Sequence, residues 1–249
     1  MKRLLLVVGL LALLAGPAAS ATKTLPKVTV YAASSLTNVF PAIDPSGTYS
    51  FGGSNTLATQ IKNGAPADVF ASANMTLPQQ LHQGGYCSNP IVFTRNTLVI
   101  VVPASNPAHI KNIYDLTKSG VKIAVAATGV PVGTYTQQIL KNMNISAAVN
   151  ANVVTHDPDV RTVLAHVTSD AVDAGFVYAT DAQTVPGQVK VIKIPAWAQP
   201  KVQYGVCIVS TSKNKSAAHA FIQLVLSKKG QAVLLKDGFL PRVKPKPKK

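Results

Sequence analysis

Apolar positions along the chain form short unbroken or alternating runs, and segments with helical periodicity separate these runs. The runs predict β-strands. They lie at residues 27–32, 48–51, 68–72, 97–102, 122–126, 152–155, 173–178, 189–194 and 202–210. The unbroken apolar run at 97–102 indicates a strand that is buried on both faces.

Between these strands, apolar residues recur every three or four positions, which predicts amphipathic helices. The helices are expected near residues 35–43, 54–63, 77–84, 113–116, 135–143, 158–167, 217–226 and 229–236. Pro41 should shorten the first helix, and Gly64 and Gly238 should end two others. Strands that alternate with helices predict an α/β fold with largely parallel sheets.

The segment at residues 51–72 contains a glycine turn between a strand and a helix. Gly52 and Gly53 permit a turn with positive φ and leave room for a ligand. Ser54 is expected to be the N-cap of the following helix. A glycine turn at a helix N-terminus is a geometry that binds anions. The alternative is an ordinary strand–turn–helix connection without a ligand.

Four predicted turns of this kind, at Ser35, Ser54, Val132 and Val160, each follow a strand. Ligands of open α/β sheets bind at the carboxyl ends of strands, so the four turns should converge. The turns contain no Lys or Arg, and Arg161 lies just inside the last helix. Neutral donors at helix N-termini suit a fully deprotonated dianion.

The turn before Val160 contains two residues that favour the start of a helix, Asp157 and Pro158. Asp157 is expected to be the N-cap of the helix that contains Val160, with Pro158 in the first helical position. In that arrangement the Asp157 carboxylate would compete with a ligand for the Val160 amide.

Composition favours a globular protein with a sizeable core, because hydrophobic residues make up 47% of the 249 residues and charged residues 13%. The formal net charge is +15. Four of the lysines are interleaved with prolines at residues 244–249, and the others are scattered without an Arg-rich stripe. This pattern argues against nucleic-acid binding and favours a solvated basic tail at 242–249.

The N-terminus has the features of a secretory signal peptide. Lys2 and Arg3 precede an apolar run at 4–15, and Ala19-Ser20-Ala21 matches a signal-peptidase site. The expected signal peptide is therefore residues 1–21, and the mature chain is expected in the periplasm or on the extracytoplasmic surface. No Cys follows the apolar run, which argues against a lipoprotein anchor.

Cys87 and Cys207 are the only cysteines in the chain. In an exported chain two cysteines predict a disulfide, and two buried free thiols are the alternative. Neither cysteine belongs to a cluster with metal-ligand spacing, and the five histidines are scattered. The chain also lacks nucleophile-elbow and P-loop motifs, so it is not expected to be an enzyme.

Five segments together resemble the molybdate-binding proteins of bacterial ABC importers. They are AASSLT at 32–37, residues 51–73, GVPVGTY at 129–135, DVR at 159–161 and FVYATDA at 176–182. The resemblance covers nearly the whole mature chain in the same order. It implies a type II periplasmic-binding-protein fold with two lobes, each a mixed, mostly parallel sheet flanked by helices, and a ligand cleft between the lobes.

The resemblance also implies a ligand, site residues and partners. The ligand would be molybdate or tungstate, with no cofactor and no direct cation ligand. Its donors would be the hydroxyls of Ser35, Ser54 and Tyr178 and the amides of Val132 and Val160. The partners would be an ABC permease and its ATPase, and the chain would be a monomer. The lobes would comprise residues 28–98 with 206–241, and residues 99–205.

Alternatives remain open for the site and for the function. Without the resemblance, Ser35 and Ser54 would be simple helix caps and Tyr178 a core tyrosine. The oxyanion could instead be sulfate, thiosulfate or phosphate. A third alternative is an exported module that binds surfaces through its basic tail. An enzyme is a further alternative, and turnover by the purified protein would support it.

Overall fold

The structure is a computed structural model, and it describes residues 27–242. The expected signal peptide at 1–21 lies outside the described residues, as do all but the first residue of the expected tail at 242–249. Within the described range the chain forms ten strands: β1 Thr29–Ala33, β2 Thr48–Gly52, β3 Val69–Ser72, β4 Ile91–Asn96, β5 Leu98–Pro103, β6 Ile123–Ala126, β7 Val153–Asp157, β8 Ala174–Tyr178, β9 Val189–Lys193 and β10 Val202–Ile208.

Nine α-helices connect these strands within residues 27–242: α1 Val39–Ile43, α2 Ser54–Lys62, α3 Thr76–Gln83, α4 Pro131–Asn142, α5 Ser146–Asn150, α6 Val160–Thr168, α7 Ala179–Ala182, α8 Lys215–Leu226 and α9 Lys228–Lys236. Short 3₁₀ turns occur at Ser34–Leu36, Ile113–Thr117 and Ala196–Ala198. The pattern did not predict β4, α5 or α7. The second half of β4 is polar, and a single residue separates β4 from the apolar strand β5. The hydrophobic pattern therefore did not indicate a separate strand before β5.

The strands form two five-stranded sheets. The first has the order β2-β1-β3-β10-β4, and with α1–α3, α8 and α9 it forms the first lobe. The second has the order β7-β6-β8-β5-β9, and with α4–α7 it forms the second lobe. The predicted two-lobed α/β fold is therefore confirmed.

Each sheet is mixed. Strand β1 is parallel to β2 and β3, and β6 is parallel to β7 and β8. Strands β10 and β5 are antiparallel to both of their neighbours. Antiparallel pairs are therefore as numerous as parallel ones among the described strands. The sheets are therefore mixed, as expected, but not mostly parallel, because β5 and β10 each run antiparallel to both of their neighbours.

The chain passes between the lobes at two places. The first is Thr97, between β4 and β5. The predicted division lay between residues 98 and 99, whereas Leu98 already pairs with Tyr178 in the second sheet. The second was expected after residue 205. However, β10 pairs with β4 from Val202 onwards, so the whole strand belongs to the first sheet. The second passage therefore lies between β9 and β10, at residues 194–201.

A disulfide joins Cys87 to Cys207 in the first lobe, with Cα atoms 6.0 Å apart and a sequence separation of 120 positions. Cys87 follows α3, and Cys207 is the last residue but one of β10. Both are buried in an apolar cluster formed by α2, α3 and β3, with Leu57, Phe70 and Leu81 among its members. The disulfide therefore fixes α3 and the segment after it against the first sheet.

Candidate anion-binding site

A small cavity between the lobes brings the five predicted site residues together. Residues from both lobes line it. The first lobe contributes the turns after β1, β2 and β3. The second lobe contributes the starts of α4 and α6 and the end of β8. The lining residues are Ala33, Ser34, Ser35, Gly52, Gly53, Ser54, Ala73, Val130, Pro131, Val132, Asp159, Val160 and Tyr178.

Neither predicted serine cap is a cap in the structure. Ala33 occupies the N-cap position of the 3₁₀ turn that contains Ser35, and Gly53 occupies that of α2, so Ser54 is the first helical residue. Neither helix start has a side-chain cap bond. The prediction of Ser54 as an N-cap was therefore wrong, as was the alternative in which Ser35 and Ser54 are simple helix caps. Neither hydroxyl is used by a helix start.

Each serine hydroxyl has one protein partner. Ser54 Oγ accepts a hydrogen bond from the Ala73 amide at 3.2 Å. Ser35 Oγ lies 2.9 Å from the hydroxyl oxygen of Tyr204. Both serines are buried. Their positions at the cavity surface are therefore set by contacts within the first lobe.

The glycine turn before α2 serves close approach rather than an unusual backbone angle. Gly52 and Gly53 do not have positive φ, and φ of Gly53 is −61°. The expected left-handed turn was therefore wrong. A Cβ atom on Gly53 would collide with the carbonyl oxygen of Pro158 in the second lobe. Glycine is required here because the two walls of the cavity meet at this point.

The second lobe presents two helix N-termini to the cavity. Val132 is the second residue of α4, and Val160 is the first residue of α6. The first-turn amides of an α-helix have no acceptor within the helix, and the helix dipole makes this end partially positive. Both valines line the cavity, so their amides are suitable donors for an anion.

The N-cap of α6 is Asp159, and the prediction of Asp157 was wrong. The Asp159 backbone is extended, and its Oδ1 accepts from the amides of Arg161 at 2.7 Å and Thr162 at 3.2 Å. Neither bond uses the amide of Val160. Asp157 instead ends β7, where its carboxylate contacts Thr155 Oγ1 and His166 Nδ1. It therefore does not compete for the Val160 amide.

Tyr178 ends β8 with its side chain buried at the cavity. Its hydroxyl has no hydrogen-bond partner among the described residues. Burial raises the pKa of this hydroxyl well above its ordinary value, so Tyr178 is a neutral donor. An unpaired buried hydroxyl is costly, which indicates that a ligand completes this position.

A buried charge pair lies behind the second wall. Asp181 Oδ2 accepts from the Tyr178 amide at 3.2 Å, and its Oδ1 lies 3.4 Å from Arg161 Nε. Arg161 also donates from Nη1 to Thr184 Oγ1 at 3.0 Å. Burial raises the pKa of Asp181 from 3.8 to about 7, and the Arg161 charge opposes this shift. This pair fixes the end of β8 against the start of α6.

The cavity lining contains no Lys, Arg, His or Cys, and its one charged member is Asp159. Within residues 27–242 no group of three His, Cys, Asp or Glu side chains is arranged to hold a metal ion. The same residues contain no helix of sufficient length and hydrophobicity to cross a membrane. The site is thus a set of neutral hydroxyl and amide donors beside one carboxylate, Asp159, which caps α6.

Sequence reasoning missed three groups that shape the site: Tyr204, Asp159 and Asp181. Tyr204 lies within an apolar strand, and its pattern gives no sign of a role near Ser35. Asp159 follows Pro158, and the choice between two aspartates for the cap depended on where the strand ended. Asp181 lies three residues after Tyr178, a spacing that could have suggested its bond to the start of α7.

Two α/β lobes with a donor-lined cavity between them define a two-lobed solute-binding protein. The chain belongs to the family of bacterial extracellular solute-binding proteins, whose sequence model matches residues 28–240. It is 32% identical over 235 residues to the molybdate-binding protein ModA of Mycobacterium tuberculosis H37Rv, which covers 90% of this chain and 87% of the relative.

Solved structures share the fold. The periplasmic molybdate-binding protein of Azotobacter vinelandii aligns with a TM-score of 0.76 at 21% identity, over 88% of this chain and all of that chain. The sulfate-binding protein SubI of M. tuberculosis H37Rv aligns with a TM-score of 0.73 at 18% identity, over 86% of each chain. At these identities the similarity establishes the two-lobed fold and leaves the ligand to the chemistry of the cavity.

Proposed function

We propose that this chain captures molybdate, and tungstate equally well, in the cavity between its lobes and delivers it to an ABC permease. The observation that carries the proposal is the buried Tyr178 hydroxyl, which lacks a partner among the described residues and lines the same cavity as Ser35 and Ser54. The 32% identity to a protein named as molybdate-binding supports the choice of ligand.

The donors come from both walls of the cavity. Ser35 and Ser54 would bind from the first lobe, and Val132, Val160 and Tyr178 from the second. A single oxyanion held by both walls links the lobes, so binding favours the closed arrangement. Hydrogen bonds to a charged acceptor are each worth about 1.5–3 kcal/mol, which makes such a set sufficient without a cationic side chain.

The charge state of the anion is the first filter. A monohydrogen phosphate ion carries a proton that needs an acceptor. The hydroxyls and amides of the cavity act as donors. The one carboxylate in the lining, Asp159, already accepts two amides of its own helix at Oδ1 and the Thr162 hydroxyl at Oδ2. An unpaired buried polar group costs about 1–3 kcal/mol, so phosphate should bind weakly near neutral pH.

Size is the second filter. Molybdate, tungstate and sulfate are fully ionised at neutral pH, and all three pass the charge filter. The shorter bonds of sulfate should prevent it from reaching donors in both lobes at once, whereas molybdate and tungstate have nearly the same size. The expected order of affinity is molybdate about equal to tungstate, then sulfate, then phosphate.

Titration calorimetry of the purified mature chain with these four anions at pH 7.5 tests the proposal. Sulfate or phosphate that bound as tightly as molybdate would refute the molybdate assignment and would favour the sulfate or thiosulfate alternative. A matched variant without residues 244–249 should keep the same affinities. Loss of binding in that variant would instead support a surface-binding role for the basic tail.

The proposed setting follows from the family and the N-terminal sequence. Family members are extracellular solute-binding proteins, and the N-terminal sequence has the pattern of a signal peptide. We therefore place the mature chain outside the cytoplasmic membrane as a monomeric, non-enzymatic receptor for a permease and its ATPase. Chromatography of the mature chain with light scattering checks the monomer, and reconstituted uptake checks the permease.

A further inference from the structure

The two serine hydroxyls at the cavity have one proton each. A serine hydroxyl donates one hydrogen bond, so it can bind an oxyanion only if that proton is not used elsewhere. At Ser54 the structure settles the direction, because the Ala73 amide can only donate and Ser54 Oγ must accept. The proton of Ser54 is therefore available to a ligand.

At Ser35 the direction is open, because its partner is a hydroxyl. Ser35 Oγ and the Tyr204 hydroxyl lie 2.9 Å apart, and either could be the donor. If Ser35 donated, its proton would point away from the cavity and its oxygen would face the anion. If Tyr204 donates, Ser35 Oγ accepts that bond, and the Ser35 proton is available to a ligand, as it is at Ser54.

We propose that Tyr204 donates its proton to Ser35 Oγ, reserves the Ser35 proton for the anion, and thereby sets selectivity for fully deprotonated oxyanions. Tyr204 is thus a positioning residue that acts through Ser35. It does not line the cavity itself. The inference rests on the proposed function, because it concerns the same oxyanion site.

The chemistry of the two hydroxyls supports this direction. Ser35 Oγ, at 2.9 Å, is the one hydrogen-bond partner of the Tyr204 hydroxyl among the described residues. A phenol is more acidic than an aliphatic alcohol, so Tyr204 is the stronger donor and the weaker acceptor of the pair. The Tyr204 proton therefore has Ser35 Oγ as its acceptor.

The Tyr204 ring is held rigidly. It is fully buried, and three rings pack edge-on against it: Phe93 at 6.0 Å, Tyr178 at 5.6 Å and Phe239 at 5.5 Å between centroids. Burial also raises the pKa of its hydroxyl well above the ordinary value, so the proton stays on the oxygen. The ring packing does not involve the hydroxyl, and replacement by Phe should preserve it.

The consequence is a testable link between Tyr204 and anion choice. In the Tyr204→Phe variant the Ser35 oxygen loses its protein donor and regains a free lone pair at the cavity. Ser35 can then accept the proton of monohydrogen phosphate. Ser35 keeps its proton in this variant but loses the contact that orients the hydroxyl. We therefore expect Tyr204→Phe to weaken molybdate binding about fivefold, less than the loss of a whole hydrogen bond to a charged group, and to weaken phosphate binding less.

A double-mutant cycle separates positioning from general structural damage. Molybdate and phosphate are titrated calorimetrically into the mature wild type, Tyr204→Phe, Ser35→Ala and the double variant. If Tyr204 acts through Ser35, its loss in the Ser35→Ala background changes the molybdate Kd less than about twofold. Equal losses in both backgrounds, or no loss in the wild-type background, would overturn the inference.

Tyr49→Phe is the matched control. The Tyr49 hydroxyl in β2 donates to the carbonyl oxygens of Phe40 and Asp44, and Tyr49 does not line the cavity. It should leave both affinities unchanged. If the wild type bound sulfate in place of molybdate, the proposed ligand would fail, and the same cycle run with sulfate would still test Tyr204.

Discussion

The two walls of the cavity offer an anion different kinds of donor. The first-lobe wall presents side-chain hydroxyls, Ser35 and Ser54, whose oxygens already have partners in the same lobe. The second-lobe wall presents main-chain amides at Val132 and Val160 and one hydroxyl, Tyr178, without a partner among the described residues. The serine oxygens of the first wall thus have protein partners without a ligand. Under the proposed function, the partner of the Tyr178 hydroxyl in the second wall would be the ligand itself.

The lobes also differ in what holds the walls in place. A disulfide and a neutral apolar cluster support the first lobe. A buried charge pair, Arg161 with Asp181, supports the second. The stability of the first lobe should therefore depend on reduction of the disulfide, and that of the second lobe on pH. Each of the changes below affects one of the two lobes.

Replacement of both cysteines by Ser should have the largest effect, and on the first lobe. Removal of the disulfide should lower the free energy of unfolding by about 2–4 kcal/mol, because the unfolded chain loses the constraint between Cys87 and Cys207. Neither cysteine lines the cavity, so anion affinity should stay the same. Urea unfolding of the variant and of the oxidised wild type measures the difference. Equal stability of the two would mean that the disulfide does not support the first lobe.

Ser35→Ala and Ser54→Ala test the first wall next. Each should weaken molybdate binding by about 1.5–3 kcal/mol, the range for a hydrogen bond to a charged group. Because neither serine caps a helix, the melting temperature without ligand should change little. Ser46→Ala is a matched control, since its hydroxyl contacts Asp44 in an exposed turn. Titration calorimetry measures the affinity. Wild-type affinity for molybdate in both cavity variants would show that the two serines do not bind the anion.

The same difference between the walls explains which parts of the site could be predicted from the sequence. The alternation of strands and helices was sufficient for the α/β class, whereas the two lobes were implied by the family resemblance. Serines after glycine or alanine turns marked the first wall. The amides of Val132 and Val160 have no side-chain signature, so their assignment depended on a family resemblance. The Ser35–Tyr204 contact joins residues 169 positions apart, and no local pattern encodes such a contact.

Boundaries failed where local signals were ambiguous. The second passage between lobes was misplaced because β10 is apolar along its length, and the part before residue 206 does not differ from the part after it. The N-cap of α6 was misplaced because two aspartates flank Pro158. In both cases the deciding factor is a long-range or geometric one: sheet pairing for β10 and the extended backbone of Asp159 for α6.

Tyr178→Phe tests the second wall. Loss of its hydroxyl should weaken molybdate binding by about 1.5 kcal/mol, the lower end of the range for charged hydrogen bonds. It should not lower stability without ligand, because the hydroxyl has no partner to lose among the described residues. Thermal unfolding with and without molybdate measures both effects. Lower stability without ligand would show that the hydroxyl has a structural partner and that the second wall is complete on its own.

The smallest expected effect is a change in how the free energy of unfolding depends on pH. It concerns the pair of Arg161 and Asp181 behind the second wall. Burial raises the pKa of Asp181 from 3.8 to about 7 in the folded chain. Between about pH 4 and pH 7 the folded chain therefore holds a proton that the unfolded chain has released. Stability rises with pH where the unfolded state binds more protons, so here the contribution of Asp181 to stability falls as pH rises.

Asp181→Asn removes this contribution and keeps an acceptor for the Tyr178 amide. Its free energy of unfolding, relative to the wild type, should become steadily more favourable from pH 4 to pH 7 and level off above that range. The part of this difference that does not vary with pH will include the loss of the Arg161 partner. The informative quantity is therefore the change of the difference with pH.

Asp115→Asn is the matched control, because a hydrogen bond from Lys118 lowers the pKa of Asp115 to about 2. Its difference from the wild type should be flat over the same range. Urea unfolding at five pH values gives both slopes, and a flat difference for Asp181→Asn would mean that Asp181 is ionised throughout and that the second lobe has no titratable support.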